Sequence, residues 1–236
     1  MRLKYLSCLF IIVLYMFSSA LMCGATLVVV GYYIPGVPFV RQKDPYWCGP
    51  ACLAMVLQYW GINVSQDEIA SEIYDPVTHL TYISDMEKYP LKFNFTVESL
   101  FSNIDELKEF IREGYPIIVL QKYSLTTTYG HFRVVIDYND KTEIIMTNDP
   151  LKQANYTISY RVFKELWEPG STFSTTNWTL LIYKSDEKPP QNPIPIYSEK
   201  PAKNVWLTTI LATVTVALVL IITLYTIKFK KRINMR

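Results

Sequence analysis

The chain has 236 residues, half of them hydrophobic, and a formal charge of +2, yet no charged residue lies between Lys4 and Arg41 or between Lys203 and Lys228. Residues 31–204 hold 16 basic against 21 acidic side chains, so the positive charge is confined to the ends and a basic nucleic-acid-binding module is excluded. Four cysteines, two of them in or beside an N-terminal apolar run, also exclude a disulfide-stapled miniprotein.

At the N-terminus Arg2 and Lys4 precede the apolar stretch Tyr5–Met16, followed by small residues at Ser18, Ser19, Ala20, Gly24 and Ala25. That order is the pattern of a secretory signal over residues 1–30, with cleavage after Ala20 or Ala25. An uncleaved anchor is the alternative, because apolar character continues to Val30 and about 20 residues span a bilayer.

Residues 31–184 are expected to form one outward-facing domain, of a size that supports a single core. Cys48–Trp60 reads as a helix apolar on most sides and closed by Gly61, which suits a central position. Ser65-Gln66-Asp67-Glu68 is a capping-box pattern that starts a second helix running to about Tyr74. Asp105–Glu113, ended by Gly114 and Pro116, is a third, with Leu107, Phe110 and Ile111 on one face. After it the period changes. Pro116–Gln121, His131–Tyr138, Thr142–Asn148 and Trp178–Lys184 are rich in β-branched and aromatic residues, the middle two joined as a hairpin through Asn139-Asp140-Lys141. A short helix is expected at Tyr160–Trp167. Helices followed by an antiparallel sheet indicate an α+β fold with the central helix packed on the sheet.

Ser185–Asn204 contains five prolines, which fix φ and remove donors, so residues 185–204 are expected to be an extended stalk. Val205–Ile227 has neither charge nor proline and runs directly into KFKKR. Residues 205–227 therefore read as a transmembrane helix and 228–236 as a basic cytoplasmic tail, which places the domain outside the cell membrane. Four N-x-[ST] sequons, at Asn63, Asn94, Asn155 and Asn177, fall in the outward part and are candidate glycosylation sites.

The expected chemistry narrows to few residues. Cys48 and Cys52 have no CxxC spacing, and His79 and His131 are far apart in sequence, so neither a metal site nor any other cofactor is expected. Cys52, one turn into the apolar helix, reads as a small core residue. Cys48 is followed by Gly49-Pro50 at the helix start, where the dipole favours a thiolate. His131 opens a strand after a polar loop, and Asp149, 18 residues later, offers a carboxylate to the other imidazole nitrogen. Gln42 can supply an amide donor to a developing oxyanion. Tyr46 and Trp47 are candidate walls of a substrate cleft, and His79 reads as a loop residue.

The segments VPFVRQKDPYWCGPACLAMVLQYWG, GHFRVVIDYND and NDP together resemble the three motif blocks of the papain-like peptidases that remove double-glycine leaders from bacteriocins, and more closely the stand-alone relatives of that family. The resemblance covers about residues 37–183. It implies a papain-like cysteine peptidase fold with Cys48 as nucleophile, His131 as general base and then acid, Asp149 orienting His131, and Gln42 in the oxyanion hole with the Cys48 backbone amide. A peptide or protein substrate follows from it, whereas the transporter to which the founding group is fused has no counterpart in this chain. Two other readings stay open, a peptide-binding module on the same fold and a structural surface protein.

Overall fold

The computed structural model describes residues 27–168 and 176–199, and beyond them only 214–215, 217–218, 221–222, 224–228 and 232. The chain divides into two units, Val29–Ser198 and the two ends.

Inside Val29–Ser198 the organising element is helix α1 (Cys48–Tyr59), whose residues Gly49 to Leu57 are all buried. A helix apolar on every side has no face to give to water and belongs inside. It ends in a Schellman arrangement: Gly61 at φ 84° lets its own N–H reach the Gln58 carbonyl and that of Ile62 reach Leu57. Helix α2 (Gln66–Ile73) starts at the expected capping box, Ser65 and Glu68 bonding each other's backbone N–H. A second capping box, Asn103 with Glu106, starts α4 (Ile104–Glu113), which Gly114 closes at φ 91°. Between them lie the short α3 (Ile83–Lys88) and a 3-10 turn, Tyr89–Phe93. Helix α5 (Tyr160–Trp167) falls where expected.

The sheet has eight strands paired antiparallel wherever a register is given. Its main path runs β10 (Ile194–Glu199), β1 (Leu27–Tyr33), β6 (Gly130–Asn139), β5 (Ile117–Lys122), β9 (Trp178–Tyr183), β4 (Thr96–Phe101), and β7 (Ile144–Asn148) joins β6 to β8 (Tyr156–Ser159). A separate hairpin is made by β2 (Tyr74–Asp75) and β3 (Leu80–Thr81). The mixed α/β architecture with a helix on an antiparallel sheet agrees with the α+β expectation.

Two boundaries differ from those expected. Residues 27–30, assigned to the signal segment, belong to β1, which pairs with the far end of β6 from Gly31↔Asn139 to Tyr33↔Asp137. Much of the expected stalk packs on the domain instead of standing free: residues 194–199 form β10, and Tyr59 Oη reaches both the Gly114 carbonyl (3.0 Å) and that of Gln191 (3.4 Å). Pro195, the one proline inside β10, fits because β10 is an edge strand, where a missing donor need break no ladder.

Residues 1–26 of the expected signal segment, residues 200–204 of the expected stalk and most of the expected membrane span lie outside the described residues. Among the described residues no helix is long and apolar enough to cross a membrane.

Candidate active site

Cys48 is the first residue of α1, and Gly49 lets the β2–β3 hairpin come close to it. A Cβ at Gly49 would lie 2.8 Å from Thr81 Cγ2 and 3.1 Å from Met86 Sδ. His131 is the second residue of β6, opposite Gln121 of β5. Because Val134 pairs with Asn148, the end of β7 carries Asp149 to the level of the His131–Arg133 segment. His131 Nε2 and Asp149 Oδ1 are 2.9 Å apart.

The Asp149 loop is stapled to the segment that leads into Cys48. Gln42 N–H donates to the Pro150 carbonyl at 3.0 Å, and Arg41 donates to the carbonyls of Leu151 and Lys152 at 3.2 and 2.7 Å. Asn148 Nδ2 adds bonds to Val37 and Pro38, both 3.4 Å. Residues far apart in sequence thus hold nucleophile candidate and carboxylate in one frame.

Cys48 and His131 line the same cleft, of about 650 Å³, together with Tyr46, Tyr82, Tyr123 and Leu151 among others, and no Lys, Arg, Asp or Glu of the described residues lines it. Among the described residues no hydrogen bond joins the Cys48 thiol to His131. Backbone N–H groups of Phe132 and Gly49 face the sulfur instead. Burial pushes the Cys48 thiol up, outweighing those two amides and the Arg133 charge. The expected lowering by the helix start is overcome because the thiol sits where a charge loses its hydration. Burial likewise pushes His131 down, against the bond it donates to Asp149, which favours the imidazolium. Burial would raise Asp149, but His131 and Arg133 outweigh it and hold the carboxyl well below the usual range. Burial thus works against the charged form of both Cys48 and His131. Cys52 is fully buried, and burial pushes its thiol well up.

Gln42 is buried, and both its amide protons go to backbone carbonyls, those of Asp44 and Pro45 at 2.8 Å each, while its Oε1 has no partner. Tyr46 lines the cleft, half exposed, with its ring centroid 4.7 Å from that of His79. Trp47 is not among the lining residues; its ring sits edge-on to Tyr74. His79 is more than a loop residue. It occupies the left-handed region at φ 55°, bonds Tyr74 Oη through Nδ1 at 2.9 Å and lines the cleft, so both histidines of the chain face one cavity.

Sequence reasoning missed Arg133, 1% exposed, whose Nε donates to Asp149 Oδ2 at 2.9 Å. The signal was available in GHFRVV: with a period of two, residues 131 and 133 share a sheet face. Among the described residues there is no group of three or more side chains able to hold a metal. Asn63, Asn94 and Asn155 are exposed and Asn177 is partly buried. Asn94, Asn155 and Asn177 all have positive φ, a conformation asparagine tolerates, which gives three sequons a backbone reason for their asparagine.

The family model described as "Peptidase_C39 like family" matches residues 34–174. No curated protein matches the chain. A putative C39-like peptidase from Bacillus anthracis is 19% identical over 66% of this chain and 99% of that one, with a TM-score of 0.54. The peptidase domain of Streptococcus ComA, a bifunctional ABC transporter involved in quorum sensing, is 20% identical over 64% of this chain and 100% of that one, at 0.49. A double glycine motif protease from an AMS/PCAT transporter, solved with the leader peptide, is 18% identical over 66% and 99%, also at 0.49.

Proposed function

The chain belongs to the Peptidase_C39 like family, and from that membership we propose that it is a membrane-anchored, outward-facing cysteine peptidase that cleaves peptide or related acyl bonds through Cys48, His131 and Asp149. The observation that carries the reading is the 2.9 Å bond between His131 Nε2 and Asp149 Oδ1 beside a cleft that also exposes Cys48. It leaves Nδ1 as the ring nitrogen to exchange a proton with the thiol. Cys48 Sγ attacks the acyl carbon as its proton passes to His131. The tetrahedral oxyanion is received by the Cys48 backbone N–H, with Gln42 as second donor once the substrate carbonyl replaces that of Asp44 or Pro45. His131 then protonates the leaving amine. Water, deprotonated by the same imidazole, hydrolyses the thioester and releases the acid. A cleft that no Lys, Arg, Asp or Glu of the described residues lines suits apolar or aromatic residues flanking the bond, with Tyr46 as a binding wall.

The anchoring rests on sequence: an N-terminal signal pattern, the uncharged stretch 205–227 and the basic residues after it. The described residues between 214 and 228 are helical and exposed, Ile221, Leu224 and Tyr225 among them, as suits an apolar environment. On an outward-facing domain the exposed Asn63, Asn94 and Asn155 are the sequons open to glycosylation.

A peptidyl acyloxymethyl ketone tests the chemistry. Labelling of Cys48 in the full chain, lost in a folded His131→Ala protein, is the expected result; an accessible Cys48 that never labels overturns it. The second reading, a peptide-binding module on this fold, is favoured by one observation, that no hydrogen bond joins thiol and imidazole among the described residues. It would show as peptide binding unaffected by Cys48→Ala and without turnover.

A further inference from the structure

Arg133 has a part in the site that the three-residue reading does not assign. Its side chain is 1% exposed and spends itself entirely on the frame around Asp149. Nε donates to Asp149 Oδ2 at 2.9 Å, one terminal nitrogen to Gln121 Oε1 at 3.0 Å and the Lys122 carbonyl at 3.3 Å, and the other to the Tyr123 carbonyl at 3.0 Å. Gln121 is fixed in turn by donating to the Phe163 carbonyl at 3.1 Å. The other Asp149 oxygen takes His131 together with the backbone N–H groups of Leu151 (3.0 Å) and Lys152 (3.1 Å). With both oxygens engaged, the carboxylate cannot rotate without breaking several bonds.

We propose that Arg133 is the positioning residue of this site: it locks Asp149 in the orientation that meets His131 and cancels the charge of that carboxylate. This rests on the peptidase reading for its purpose, though not for its geometry. A carboxylate alone beside an imidazole stabilises the imidazolium, whereas a carboxylate neutralised by a buried guanidinium orients the ring with much less pull on its proton. Among the described residues the charged and titratable groups around His131 are Asp149 and Lys152 from the loop after β7, Arg133 on its own strand, Cys48 at the start of α1 and Tyr123 just after β5, edge-on at 5.5 Å. Arg133 and Lys152 lower the imidazole and Asp149 raises it. Removing Arg133 leaves Asp149 unopposed.

The chain contains two histidines, so histidine-selective 13Cε1 labelling of the full chain in detergent micelles gives two resonances, which His131→Ala assigns. In Arg133→Gln the His131 midpoint is expected to rise by about one pH unit. In Arg133→Lys, which keeps charge and loses the fork, the midpoint stays closer to wild type while Cys48 labelling by the ketone slows on the order of tenfold. An unchanged His131 midpoint in Arg133→Gln overturns the proposal. Should that protein not fold, Arg133→Lys carries the test: slower Cys48 labelling with a His131 midpoint near wild type supports the proposal, and labelling at the wild-type rate overturns it. The two readings are separated by the ketone: a Cys48 that never labels in the wild-type chain, while the His131 midpoint still rises in Arg133→Gln, counts against the peptidase reading and leaves that of Arg133 standing.

Discussion

The sulfur of Cys48 faces the backbone N–H of Phe132, the residue immediately after His131. The thiol therefore meets the histidine strand through its backbone, and burial works against the charged form of both thiol and imidazole. An ion-pair enzyme would hold a thiolate in mild acid. Burial here works against such a pair.

The first prediction follows from those directions. Alkylation of Cys48 by iodoacetamide in the full chain, followed by mass spectrometry of its peptide, should rise with pH and reach half its maximum above the ~8.5 of a free thiol. Cys52, fully buried with its thiol pushed up, should label only on unfolding. A plateau of Cys48 reactivity between about pH 5 and 7 would mean a resting thiolate–imidazolium pair and contradict this account.

Gly49→Ala tests the closeness of the hairpin to the helix start. Its new Cβ would fall 2.8 Å from Thr81 Cγ2 and 2.9 Å from Thr81 Cβ, closer than carbon atoms approach, so the hairpin must move. Overpacking of this kind costs about 1–3 kcal/mol. The variant should melt lower and alkylate faster at Cys48, because the displaced wall opens the cleft. Faster alkylation at unchanged stability, or the reverse, would separate access from packing.

Much of this frame could be read from the chain because local rules and tertiary packing agree there. The capping box at Ser65–Glu68, the glycine ends at Gly61 and Gly114 and the all-round apolarity of residues 49–57 each specify one element without help from the rest. The strands that were missed lack such signals. Thr96–Phe101 and Tyr156–Ser159 become strands by pairing with β9 and β7, and Leu27–Tyr33 is hidden in an apolar run that also reads as a signal. In the site, Cys48, His131 and Asp149 stood out through scarcity and position. Arg133, Arg41 and Asn148 did not, because their work depends on which backbone carbonyls and carboxylates the fold brings to them. Gln42 was legible as a residue near the thiol, but the direction of its amide was not.

Asp137 offers a measurement of stability independent of the site. Burial pushes its carboxyl up to about 6, above the ~3.9 of an unfolded chain. The folded state then binds more protons than the unfolded one between those values, so this group's contribution is fully present below about pH 4 and is lost as pH rises through 6. Asp137→Asn should raise the melting temperature at pH 7.5 by about 6 °C, with the gain vanishing at pH 4. An equal gain at both pH values would show that charge burial is not its origin.

The last prediction concerns where the domain ends. If 185–204 were only a stalk, a chain stopped after Lys184 would be as stable as one stopped after Glu199. In the structure that cut removes β10, leaves β1 as a free sheet edge and strips the Gln191 carbonyl from Tyr59 and the Pro189 ring from Gly114. An unpaired apolar strand beside a newly exposed surface is both a loss of burial and a template for aggregation. Two chains beginning at Thr26, one ending at Glu199 and one at Lys184, should therefore differ in thermal unfolding and in size-exclusion behaviour. The longer is expected to be monomeric and the shorter to melt several degrees lower and to self-associate. Equal melting temperatures would restore residues 185–199 to the stalk and place the boundary of the fold at β9.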